Sequence, residues 1–140
     1  MKPMKGLLIL GLLLTLPGCG TPPVYRAYKG QKDLSEVAQI ECDSANQILR
    51  IKTIDGKRVP SALLLLSFRD FQDKAQVLPG GHSIDLLFAT RNLTTAEGKL
   101  WFEAGPGKTY IARWKAEGYR VNFWIEEKES RKIVSTGIHP

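Results

Sequence analysis

The chain has 140 residues, with 20 Lys and Arg against 14 Asp and Glu, a formal net charge of +6 and 43% apolar residues. That length admits one domain of ordinary size and little more. The basic residues are spread along the chain without the clustered cations and interleaved aromatics of a nucleic-acid surface, which argues against a nucleic-acid partner.

The first predicted element is an export signal. Lys2 and Lys5 precede an apolar run, GLLILGLLLTL over residues 6–16, and Pro17-Gly18 breaks it just before Cys19. A positive start, an apolar stretch of about 7–15 residues and a small residue before a cut describe a signal that is removed, and a membrane span needs about 20 apolar residues. Loss of residues 1–18 leaves 18 basic against 14 acidic residues, a net charge of +4 that suits a solvated surface.

Leu16-Pro17-Gly18-Cys19 resembles the lipobox of bacterial lipoproteins, with Leu16 and Gly18 in the family's positions and Pro17 where the family prefers Ala, Ser or Thr. The resemblance implies cleavage between Gly18 and Cys19, a diacylglyceryl thioether on the Cys19 thiol, and palmitate-type acylation of the new amino end. Two or three acyl chains, at roughly 0.8 kcal/mol per buried methylene, hold a protein in a bilayer durably. Gly20 follows, where an Asp would favour inner-membrane retention in enteric lipoproteins, so the resemblance implies the periplasmic face of the outer membrane.

Residues 21–32, TPPVYRAYKGQK, hold adjacent prolines and no apolar period, and read as a tether that lets the domain stand clear of the headgroups. The domain itself is expected over residues 33–140. Asp33 to Ile40 suggests one short helical turn capped by Ser35. Ala38, Ile40 and Cys42 then alternate as one face of a strand. With Cys19 lipidated, Cys42 has no internal disulfide partner and is expected to be buried as a small hydrophobe. Ile48 to Ile54 is rich in β-branched residues and leads into the hairpin signal Asp55-Gly56. Ala62 to Phe68 is a further apolar run. Ala75 to Leu78 enters Pro79-Gly80, read as a type II turn, and Ile84, Leu86 and Phe88 share the face of the next strand.

The second half continues in period two: Leu100, Phe102 and Ala104, a Gly105-Pro106-Gly107 turn, Tyr110, Ala112 and Trp114, a Glu117-Gly118 turn, then Val121, Phe123 and Ile125. Six to eight short strands separated by turn residues predict an all-β antiparallel β-sandwich, or a small barrel. From about Val37 to Val134 the chain also resembles small bacterial lipoproteins of unknown function with a PEGA-like, carboxypeptidase-regulatory-like β-sandwich. The resemblance rests on Ile54-Asp55-Gly56, Val77-Leu78-Pro79-Gly80-Gly81-His82, Phe102-Glu103-Ala104-Gly105 and Lys108-Thr109-Tyr110. It implies the sandwich and brings no catalytic residues.

Candidate chemistry is sparse. A phosphate loop ending at Gly107-Lys108-Thr109 needs glycine at 102, where Phe102 stands, so the glycines of residues 105–107 read as a hairpin turn. Asn92-Leu93-Thr94 fits a glycosylation pattern and reads as a loop. His82 and His139 do not assemble a metal site with any Cys or His spacing. His82 reads as a turn residue bonded to nearby backbone, and no Gly-x-Ser-x-Gly elbow accompanies it. Neither a cofactor nor a catalytic residue is assigned. Trp101 and Trp124 lie opposite the apolar positions of their strands, so a shared exposed surface bearing both would make a partner or glycan platform. The sequence therefore predicts a lipid-anchored envelope protein acting as a non-catalytic binding or structural accessory. A glycan or peptidoglycan module, and a small hydrolase using His82, are the alternatives.

Overall fold

The computed structural model describes residues 24–43, 49–59, 72–92 and 94–137. In chain order its strands are β1 (Tyr25–Arg26), β2 (Ala38–Cys42), β3 (Leu49–Ile54), β4 (Lys57–Arg58), β5 (Lys74–Val77), β6 (Gly80–Ala89), β7 (Thr95–Ala104), β8 (Thr109–Glu117), β9 (Arg120–Glu127) and β10 (Thr136–Gly137). They form two five-stranded sheets, sheet I in the order β1-β5-β2-β8-β9 and sheet II in the order β10-β7-β6-β3-β4, not closed into a barrel. The protein is thus an all-β sandwich. Its pairing is mixed, because β2 runs parallel to β8 and β1 parallel to β5.

Period-two patterning places the core. Ala38, Ile40 and Cys42 face sheet II, and Ile84, Leu86 and Phe88 face sheet I, joined by Leu100, Phe102, Ala104, Tyr110, Ala112 and Ile125. Each fully buried aliphatic side chain contributes about 1.5–3 kcal/mol relative to exposure. Aromatic contacts bridge the sheets: Phe88 meets Trp114 at a centroid separation of 4.7 Å, and Phe102 meets Tyr110 edge-on at 5.1 Å. The buried Tyr110 hydroxyl accepts a hydrogen bond from the Gly105 backbone N–H at 2.8 Å, which removes the cost of an unpaired polar tip.

Two of the expected turns have a different role. Asp55 and Gly56, at φ 51° and 73°, close the two-residue hairpin between β3 and β4 as anticipated. Pro79-Gly80, however, carries the chain from β5 in sheet I to β6 in sheet II, with Gly80 at φ 127°. The residue 105–107 turn is likewise not a hairpin, since it takes β7 in sheet II to β8 in sheet I. The cap of the short turn also differs. A 3₁₀ turn spans Leu34–Glu36 with Asp33 at its start, where the Asp33 N–H donates to Glu36 Oε2 at 3.1 Å, so Ser35 lies inside the turn rather than capping it.

The amino-terminal side of the domain begins earlier than Asp33. Tyr25 and Arg26 pair with Ala75 and Gln76, the Ala27 N–H donates to the Gln76 carbonyl at 2.9 Å, and the Tyr28 hydroxyl donates to Gln76 Oε1 at 2.8 Å. Part of the expected tether is therefore an edge strand. Residues 1–18, Cys19, the Ala62 to Phe68 run and His139 lie outside the described residues.

Candidate functional site

His82 sits at one end of the sandwich, where β6 begins, next to the Asp55-Gly56 hairpin. Its Nε2 is 2.7 Å from the Leu78 carbonyl oxygen and its Nδ1 is 2.7 Å from Asp55 Oδ2. The other Asp55 oxygen accepts the Ser83 N–H at 2.9 Å, and the Ser83 carbonyl accepts the Asp55 N–H at 2.8 Å. A carbonyl can only accept, so Nε2 carries a proton and donates it. In a Ser-His-Asp arrangement the nitrogen distal to the carboxylate must face the nucleophile; here it is bound to backbone. The group works as a clasp that ties the β3–β4 hairpin, the β5–β6 crossover and the start of β6 together. Asp55, which the sequence reading used only as a turn residue, is half of it.

The outer face of sheet I carries a second cluster. Arg113, on β8, donates from Nε to Glu126 Oε1 and from Nη1 to Asp43 Oδ2, both at 2.9 Å. Both carboxylates help hold its guanidinium protonated, raising its pKa above the ordinary value, with the Asp43 hydrogen bond contributing most. Trp124 lies directly across from Arg113 in the β8–β9 pairing, half-buried, and its indole N–H donates to Glu126 Oε2 at 3.3 Å. Trp101 projects from the outer face of sheet II and is 42% exposed. Its ring lies over Gly81, where a Cβ would stand 2.9 Å from Cζ2. The two tryptophans therefore point away from each other on opposite sheets and share no surface.

Cys42 is free and buried. Desolvation pushes its thiol from 9.0 up to about 12, more than the nearby Arg50 charge pulls it down. That environment makes an inert thiol. Lys108 of the glycine-containing turn donates to both Glu127 oxygens at 3.0 Å, and these contacts raise its pKa. A strand, not a helix, follows that turn at Thr109. Among the described residues no group of three or more His, Cys, Asp or Glu is placed to hold a metal ion.

No family model, curated protein or solved structure matches this chain. Its function must be read from its own residues. Sequence reasoning located His82, Trp101, Trp124 and Cys42 but missed Asp55 as the partner of His82 and Arg113 as the centre of an ion-pair cluster. Neither had a local signal. Asp43 directly follows β2, Arg113 lies on β8 and Glu126 on β9, and only the parallel β2–β8 pairing and the β8–β9 hairpin bring them together.

Proposed function

We propose that this protein is a bacterial envelope lipoprotein, held at the membrane through Cys19, whose β-sandwich serves as a non-catalytic binding or structural accessory on the periplasmic side of the outer membrane. The observation that carries the reading is the join between two features: a signal ending in Leu16-Pro17-Gly18-Cys19, and a sandwich whose first strand starts at Tyr25. A removable signal, an acylated cysteine and a small domain close behind it form a device for concentrating a binding surface at a bilayer. Commitment of both His82 nitrogens to Asp55 and Leu78 supports a structural role for that residue over the hydrolase alternative. Intact mass of the membrane-extracted protein beside a Cys19→Ser variant tests the reading. The wild type should lack residues 1–18 and carry acyl mass that the variant lacks, and an unmodified wild-type chain overturns the proposal.

A second reading, glycan or peptidoglycan binding, is favoured by Trp101 alone, because an exposed indole flanked by polar positions suits a sugar face. Trp124 no longer belongs to it, since its ring edge is taken up by Glu126. Retention of the purified protein on cell-wall material should fall on Trp101→Ala, and unchanged retention removes this reading.

A further inference from the structure

Strand register fixes where the chain enters the domain relative to its longest projection. Tyr25 lies level with Ala75, Ala75 with Ile40, and Ile40 with Tyr110. From Tyr110, β8 runs on to Glu117, and the β8–β9 hairpin turns through Gly118, at φ 60°, and Tyr119. β1 runs parallel to β5 and therefore antiparallel to β8, so the amino-terminal end of β1 faces the same end of the sheet as the hairpin tip. Glu117 is seven residues beyond Tyr110, about 23 Å along a strand. Cys19 is six residues before Tyr25 and can reach at most about 20 Å. With so short a link between Cys19 and Tyr25, the hairpin tip is within reach of a surface that holds Cys19.

The composition of the tip fits such a surface. Residues 115–120 are all exposed, and Tyr119 is fully so. Among the described residues β2 pairs with β8 only as far as Ala112, and the β8–β9 hairpin continues past that level to its tip. Arg120 flanks Tyr119 and makes no ion pair among the described residues, whereas Lys115 is matched by Glu117 at 2.6 Å. Arg91, in the turn after β6, lies at the same end, which the Phe88–Trp114 contact ties to the level of β8. An amphipathic ring beside cations is the chemistry that seats at a headgroup layer, with the ring at the acyl boundary and the cations on phosphate.

We infer that the β8–β9 hairpin tip, led by Tyr119 and Arg120, docks on the lipid surface of the bilayer that anchors Cys19, giving the domain a second membrane contact and a fixed orientation. The inference rests on the lipid-anchor reading above. The test uses full-length protein extracted with its anchor and reconstituted into vesicles of phosphatidylethanolamine with phosphatidylglycerol. One sample carries Tyr119→Cys and another Lys57→Cys at the opposite end, each labelled with nitrobenzoxadiazole, while Cys42 stays unlabelled in the core. The label at 119 should emit at shorter wavelength and be quenched by headgroup-level nitroxide lipid, while the label at 57 remains in water. Adding Arg120→Glu should lower the seated-to-free ratio at 119 about tenfold or more. A label at 119 as fully in water as that at 57 overturns the inference. Intact mass of the same samples reports the anchor separately, so an acylated chain with a solvated tip refutes the docking and leaves the anchor standing.

Discussion

Gly98 shows how closely the two sheets meet along β7 and β9. It faces inward from β7, and a Cβ built there would overlap Cδ2 of Phe123 and stand 2.8 and 2.9 Å from its Cγ and Cε2. Carbon atoms in contact prefer about 3.5–4.0 Å, so Gly98→Ala forces the ring back by roughly 1 Å. The ring has little freedom, because Phe123 lies across from Trp114, which in turn packs on Phe88 at 4.7 Å. Overpacking of this kind costs about 1–3 kcal/mol, and the stiffer unfolded chain returns about 0.4–1 kcal/mol. The net expectation is a loss of about 1–2 kcal/mol, seen in thermal unfolding as a fall of roughly 5–15 °C in Tm. Gly81→Ala is the control: its Cβ meets Trp101 Cζ2 at 2.9 Å, but that indole is exposed and swings aside, so stability should change by no more than about 0.5 kcal/mol. Phe123→Leu combined with Gly98→Ala should recover part of the loss, with a coupling of about 0.5 kcal/mol or more. Wild-type stability in Gly98→Ala would refute the packing argument.

Asp55→Ala removes acceptors for His82 and the Ser83 N–H and places alanine at φ 51°, so urea unfolding should show a loss of about 2–3 kcal/mol; Asp55→Asn, which tolerates that backbone and keeps one acceptor, should lose less than half as much. Arg113→Met strands Asp43 and the largely buried Glu126, and unfolding in low and high salt should show a loss of about 1–2 kcal/mol that salt reduces only in part. The Cys42 thiol should resist aqueous alkylating reagents until the protein unfolds. Because its folded pKa lies near 12 against 9.0 unfolded, the stability linked to the neutral thiol is complete below about pH 9 and is lost as pH rises toward 12. Cys42→Ala should flatten that alkaline decline, and an equally steep decline would show that other groups cause it.

The faces of the strands were legible because period-two alternation is a local property. Ile84, Leu86 and Phe88 could go only one way, and the Asp55-Gly56 turn announced its own geometry. What stayed hidden depends on pairing between distant segments. Leu78-Pro79-Gly80 reads the same whether it joins neighbours in one sheet or crosses between two, since both need the chain to reverse. Tyr25-Arg26 looked like tether because two residues carry no period; the open edge of β5 makes them a strand. For the site, opposition to apolar neighbours correctly placed Trp101 and Trp124 on outer faces, but it could not say which sheet each belonged to. The His82 clasp was half visible: a histidine bonded to nearby backbone was expected, while Asp55 became its partner only through the β3–β6 pairing.

The order β1-β5-β2-β8-β9 also determines when this fold can be completed. A chain delivered amino end first can pair β3 with β6 and β6 with β7 soon after each emerges, so sheet II can grow as the polypeptide appears. Sheet I cannot. β2 occupies its centre, and its two neighbours come from residues 74–77 and 109–112. Until β8 arrives, one edge of β2 stays open with its backbone groups unpaired, a template for association with other chains. A chain halted before Thr109 should therefore behave as an adhesive fragment rather than a smaller domain. Closure of the core is thus timed by the arrival of the carboxy-terminal β8–β9 hairpin.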